Sequence, residues 1–250
     1  MERANFEKNS SIINPLLIVG AMGTLLFGSN EAQGLTTPNC PAVEAIDTKI
    51  TPECKLDLIT VLRNGPYDDV IDSLAIGTYQ KIAGNDLIVD SDLGPKTAKS
   101  ILLDIGLSPP LPDKKTIGHK VVVDKNNQVM YDVKNNKIRH IFSISTGTEA
   151  PYPATIDPKT KKVKAPAGIG DTPTGRFKVN YETGAKEEGP LGIMPYAHYY
   201  RVGGFAVHAG FVTLEGRLSH GCVRVQSDTM LKYVNPELKI GDAVIIKEKV

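Results

Sequence analysis

The sequence predicts a mainly β domain, a sandwich or a partly closed barrel, preceded by a small α-helical unit. Three observations carry this expectation. From residue 118 onward, short apolar runs are punctuated by Gly and Pro, the pattern of many short strands. Before residue 107, apolar residues recur instead at helical spacing. Between the two lies Ser108-Pro109-Pro110-Leu111-Pro112-Asp113-Lys114-Lys115, a stiff Pro-rich stretch that marks a boundary. The expected organisation is an N-terminal segment over 1–34, a helical unit over 35–107, a linker over 108–117 and a β domain over 118–250.

In the helical unit, Leu35 to Thr51 reads as irregular. From Asp68 to Gly84, residues Ile71, Leu74, Ala75, Tyr79 and Ile82 recur at helical spacing, with Asp68 and Asp69 favouring the start and Gly84 the stop. A second helix is predicted from Pro95 to Ile105, with Pro95 in the first turn and Gly106 just past the end. In the β domain, Lys120 to Asp124 and Gln128 to Val133 flank the turn-like Lys125-Asn126-Asn127 as a hairpin. Ile138 to Ser145, Arg176 to Tyr181, Phe205 to His208 and Ala243 to Lys247 read as further strands. Only Ser227 to Tyr233 reads as helical there, closed by Asn235-Pro236.

Composition bounds the function. The 250 residues carry a net charge of +1, with 41% hydrophobic and 23% charged residues, ordinary values for a globular protein. Lys and Arg are scattered, with no basic run interleaved with aromatics, so a nucleic-acid partner is not expected. At the N-terminus, Arg3 and Lys8 precede an apolar run from Ile12 to Phe27, and Ala32 and Gly34 sit where a cleavage site takes small residues. That is a secretory signal peptide, or alternatively an uncleaved membrane anchor. Either way the remainder is expected to be exported from the cytoplasm. Cys40 and Cys54 lie close in sequence, where an oxidising compartment permits a disulfide. Cys222 is then the odd thiol, either a nucleophile or a small buried hydrophobe.

Its neighbours favour the nucleophile. Ser219-His220-Gly221-Cys222-Val223-Arg224 is preceded by Val207-His208-Ala209-Gly210. A thiol of pKa about 8.5 is only a few per cent thiolate near neutrality and needs a base or a positive neighbour. His220 shares the nucleophile's own segment, whereas His208 is placed to approach from a neighbouring strand. Gly221 removes a side chain beside the thiol and lets main-chain N–H groups approach a substrate carbonyl. A zinc site from His208, His220 and Cys222 is the alternative, with His198 as a possible fourth ligand. No fourth ligand stands at a familiar spacing, so no metal is assigned. The residues call for no cofactor, and nothing around His119 or His140 suggests a shared catalytic task.

The stretch from His208 to Val225 resembles the catalytic motif of the L,D-transpeptidases, the YkuD family. Upstream, Ser143-Ile144-Ser145-Thr146-Gly147, Thr172-Pro173-Thr174-Gly175-Arg176-Phe177 and Met194-Pro195-Tyr196 resemble segments of the same domain, from about Gly118 to Lys247. The resemblance implies a β-rich fold and a cell-wall acyltransferase. Cys222 takes the nucleophile position and His208 the general-base position. His220 and Gly221 shape the pocket and oxyanion hole, and Ser219, Ala209, Arg224 and Tyr196 join them as oxyanion or substrate residues.

Ala209 stands where some members carry Ser, and Arg224 where some carry Asn. A backbone carbonyl at Ala209 serves equally well as the third triad member. Arg224 holds a stem carboxylate, braces the loop or forms a structural ion pair. The implied donor is a peptidoglycan tetrapeptide stem, attacked at its third residue with loss of D-alanine. The acceptor is a second stem amine giving a 3–3 cross-link, a protein amine, or water. A carbapenem is the implied covalent inhibitor. The other readings are an L,D-carboxypeptidase or thiol hydrolase, and a non-catalytic wall-binding protein. In a papain-like peptidase the Cys precedes the His, the reverse of the order here. Tyr79-Gln80-Lys81 and Val89 to Thr97 resemble a peptidoglycan-binding module, with Ser91 where that module has Gly, so the helical unit is a glycan binder or a spacer.

Overall fold

The computed structural model describes residues 38–46, 49–67, 69–84 and 86–250. The segment read as a signal peptide or anchor lies outside the described residues, as does Asp68. Among the described residues, no helix is long and apolar enough to cross a membrane.

Among the described residues, a 3-10 turn at Val43–Ala45 and three α-helices come first. α1 (Pro52–Asn64) was not anticipated from the sequence, although its start is well marked: Thr51 Oγ1 accepts from Cys54 N–H at 3.2 Å, and Pro52 opens the first turn. Cys54, Leu58 and Leu62 recur every four residues on its buried face. A disulfide between Cys40 and Cys54 ties the preceding segment to it. α2 (Asp72–Ala83) begins later than the acidic residues suggest. Asp69 is not in its first turn; it is fully buried and accepts from Thr229 Oγ1 at 2.7 Å. α3 (Pro95–Asp104) starts on its proline, as expected.

The strands follow. β1 (Lys120–Asp124), β2 (Val129–Lys134) and β3 (Lys137–Ser145) form an antiparallel meander. Gln128 does not open β2; its φ of 51° places it in the turn. Short strands β4 (Pro151–Tyr152), β5 (Thr155–Ile156), β6 (Val163–Ala165) and β7 (Gly168–Ile169) pair as β4–β7 and β5–β6. β8 (Gly175–Lys178) and β9 (Tyr181–Glu182) come next, then the hairpin β10 (Glu188–Gly189) and β11 (Gly192–Ile193). β12 (His198–Arg201), β13 (Phe205–Ala209), β14 (Val223–Val225) and β15 (Ala243–Lys247) complete the set.

Among the described residues, nine strands form one sheet in the order β8-β15-β1-β2-β3-β14-β13-β12-β9. The run from Arg176 to Tyr181, predicted as one strand, is broken: β8 and β9 lie at opposite ends of that order, joined only by Val179 and Asn180. A flat sheet of this size is roughly 38 Å wide at about 4.8 Å per strand. The connection reaches at most about 11 Å, so the sheet curls until its ends approach. Val179 N–H donates to Asp242 O beside β15, and Asn180 N–H donates to Tyr199 O on β12, so adjacent residues join both ends. The result is a partly closed barrel within the mainly β class the sequence predicts.

Both faces of the central strands are covered, which explains the unbroken apolar run in β1. Val121 and Val123 join Met130, Phe142, Ile144, Val207, Val223 and Val225 inside the curl. Val122, with Tyr131, Val133, Ile141 and Ile245, packs instead against Leu58, Leu62, Ile76 and Tyr79 of the helices. The Pro-rich stretch separates helices from strands in sequence, while this cluster joins them in space.

The helix predicted over Ser227 to Tyr233 runs further. An α-turn at Ser227–Thr229 widens into a π-turn over Met230–Val234 and continues through Asn235–Glu237. Pro236 has no N–H to give, and the wider turn lets Asn235 N–H reach Met230 O instead.

Candidate active site

β13 and β14 run parallel, with His208 opposite Arg224 and Val207 opposite Val223. Opposed residues on parallel strands point the same way, and side chains two apart share a face. Cys222, Arg224 and His208 therefore face one side, while Val207, Ala209, Val223 and Val225 fill the interior. The facing side opens into a cleft of about 410 Å³ whose lining includes His208, Ser219, His220, Gly221, Cys222 and Arg224.

His208 is almost fully buried, and its Nδ1–H donates to the Ala209 carbonyl at 2.8 Å. That bond fixes the tautomer and leaves the Nε2 lone pair free. Burial lowers the His208 pKa to about 4 against the modest upward pull of the Ala209 carbonyl, with Arg224 pushing the same way as burial. The ring is therefore neutral at physiological pH. Cys222 is the free cysteine of the described residues. Its S–H donates to Gly204 O at 3.4 Å and touches Met194 Sδ at 3.9 Å. Burial raises the thiol pKa, more than a main-chain contact at Ala206 and the charge of Arg224 lower it. Cys222 is thus a neutral thiol and His208 a neutral imidazole lining the same cleft, and the thiol's hydrogen bond goes to Gly204.

Ser219 shapes the loop. Its Oγ accepts from Gly221 N–H at 3.0 Å and donates to Cys222 O at 2.6 Å. The Gly221 N–H is thus already engaged within the loop. Gly221 has φ +131°, and a Cβ there would lie 2.8 Å from both Asp171 O and the Phe205 ring, so this position requires glycine. His220 is exposed and packs edge-on to Tyr152 at 4.8 Å. Arg224 braces the loop: its guanidinium donates to Leu218 O at 3.1 Å, and no carboxylate pairs with it among the described residues. Tyr196 is not part of the cleft. Its φ is 56°, its side chain packs against the interior cluster, and its carbonyl accepts from His198 Nδ1–H at 2.9 Å. His198 is fully buried and likewise outside the cleft lining.

Several contributors were not singled out beforehand. Thr172 Oγ1 accepts from Gly147 N–H at 2.8 Å and donates to Gly221 O at 2.9 Å, joining two glycine turns under the loop. Its Thr-Pro-Thr-Gly context was noted only as a resemblance. Lys125 lies beneath, buried among Glu248 at 2.9 Å, Asp171 at 3.1 Å and Glu149 at 3.4 Å. Gly204 supplies the thiol's acceptor, and the only signal for it is the Gly203-Gly204 pair.

Fold and cleft together define a class, the partly closed β-barrels that present a cysteine and a histidine on one open face. Residues 118–246 match the family model of the L,D-transpeptidase catalytic domain, YkuD, and the chain belongs to that family of enzymes. It is similar to the solved L,D-transpeptidase of Xylanimonas cellulosilytica, at 25% identity and TM-score 0.62, covering 79% of this chain and 94% of that one. It is also similar to an L,D-transpeptidase from Stackebrandtia nassauensis, at 20% identity and TM-score 0.45, covering 86% and 98%. A search of curated proteins finds no match.

Proposed function

We propose that this L,D-transpeptidase works through an acyl-enzyme on Cys222, with His208 as general base, outside the cytoplasm. The donor is a tetrapeptide stem of peptidoglycan. The sulfur attacks the carbonyl of the third residue while Nε2 of His208 takes the thiol proton. The peptide C–N bond then breaks, and D-alanine leaves with that proton. An amine acceptor, from a second stem or a protein, attacks the thioester, forms the new amide and returns the thiol. The observation that carries this reading is the buried, neutral His208, its Nδ1–H fixed by Ala209 O and its Nε2 unprotonated on the face shared with Cys222. The Cys40–Cys54 disulfide supports an oxidising compartment.

In this scheme Cys222 turns from the Gly204 carbonyl when substrate enters. His220 forms the cleft wall with Tyr152, and Arg224 holds the loop in place. The test is mass spectrometry of the protein with purified tetrapeptide stems. A thioester on Cys222 followed by a cross-linked dimer is expected, and a carbapenem should leave an adduct on the same residue. Tripeptide without dimer would identify a hydrolase, and no adduct with either reagent would overturn the reading. His208→Ala should slow acylation by about 10²–10⁴ while leaving the fold intact. Cys222→Ala should remove the adduct altogether.

A further inference from the structure

The charge of the cleft is one-sided. Its lining contains the cations Lys164 and Arg224 and, among the described residues, no carboxylate. The two fixed cations differ in how they are held. Arg224 is committed to Leu218 O beneath the loop. Lys164, on β6, is instead half-exposed, with Nζ 3.6 Å from Glu188 Oε1 on β10.

That contact joins two hairpins that furnish different parts of the wall. The β5–β6 hairpin brings Lys164 and Ala165, while β10–β11 brings Gly189 to Ile193. With side-chain exposures of 47% and 67%, the pair is well solvated, and a pair of that kind contributes little to stability and exchanges readily. A carboxylate entering the cleft meets one cation whose partner is easily displaced.

We propose that Lys164 is a carboxylate subsite of the cleft, occupied by Glu188 in the free protein and by a carboxylate of the substrate when it binds. The inference deepens the acyl-transfer reading and rests on it for the identity of the ligand, a peptide carrying a free carboxylate near the attacked carbonyl. Glu188 is then a built-in competitor, and its release frees the two hairpins to adjust around the peptide.

The subsite is testable without any turnover. Iodoacetate and iodoacetamide both alkylate Cys222, the sulfur displacing iodide, but only the first carries a carboxylate. Their rate ratio, normalised to a free thiol, reports the field Cys222 feels at the cleft. In the full chain, Lys164→Met should lower that ratio by roughly threefold to tenfold, as expected for one partly screened charge. Glu188→Gln should raise it, Lys164→Arg should restore it, and added salt should flatten all the differences.

With a tetrapeptide donor, Lys164→Met should raise KM without changing kcat, and amidating the donor's carboxylate should abolish the effect. A ratio unmoved in folded Lys164→Met and Glu188→Gln proteins, checked by circular dichroism, overturns the subsite. So does a parallel change with both reagents, which marks altered access alone. If the wild-type chain turns over no tetrapeptide, the transpeptidase reading fails, while the alkylation ratio still decides on Lys164.

Discussion

Thr172 shows how much of the site depends on one hydroxyl. It closes two main-chain groups, Gly147 N–H and Gly221 O, that lie 25 and 49 residues away. Thr172→Val keeps the shape and removes both bonds, leaving buried main-chain groups unpaired at a cost of about 1–3 kcal/mol. We expect a lower melting temperature and slower alkylation of Cys222, and a variant equal to wild type in both would show that the hydroxyl is dispensable. The thiol itself makes a second prediction. Burial raises its pKa by more than the charge of Arg224 lowers it, so its reactivity should rise with pH to a midpoint above the ordinary value of about 8.5. Iodoacetamide kinetics across pH measure this. A midpoint near neutrality would mean a preformed thiolate–imidazolium pair, contrary to a His208 pKa of about 4.

At the scale of elements, His119 is the joint between β1, β2 and β15. Its Nε2 meets Asp132 at 2.6 Å and its Nδ1 meets Asp242 at 2.7 Å, with the ring nearly buried. Burial alone would lower its pKa, but the hydrogen bonds and charges of the two aspartates outweigh that and raise it. A histidine with a raised folded pKa contributes stability that is fully present below its unfolded value, about 6.5, and is lost as pH rises through the higher folded value. His119→Gln should therefore cost most at acidic pH, about 3 kcal/mol for breaking a buried charged pair. The gap should narrow above neutrality. Melting temperatures of both proteins at several pH values check this, and a gap that widens with pH would reverse the assignment.

For the whole molecule, the question is whether the helices are a module or a cover. The Pro-rich stretch suggests that a chain beginning near Lys114 keeps the chemistry. The packing predicts otherwise: without the helices, Val122, Tyr131, Val133, Ile141 and Ile245 lose the side chains that cover them. The buried Thr78–Ser143 contact at 2.7 Å and the Asp69–Thr229 bond would also leave single partners behind. Such a chain should be aggregation-prone and strongly destabilised, because an exposed apolar sheet face of that size seeks a partner. A soluble, cooperatively melting protein from Lys114 onward, still acylated at Cys222, would show the helices to be an independent module.

The sequence by itself determined what is local. Residues 219–224 lie within six positions, so the candidate nucleophile, the loop histidine and the special glycine were legible there. Strand and helix periodicities were legible for the same reason, as was the pairing of two nearby cysteines. Tertiary structure alone decided what depends on distant segments meeting. The parallel register of β13 and β14 puts His208 and Cys222 on one face, and the two-residue crossing after β8 curls the sheet. Thr172, Gly204, Lys164 and Glu188 gain their roles only through contacts spanning 18 to 49 residues, as with Gly204 to Cys222 and Thr172 to Gly221. Periodicity reports which way a side chain points from its own backbone. It holds no information on which strand will lie alongside, and that choice is made by burying both faces of the sheet together.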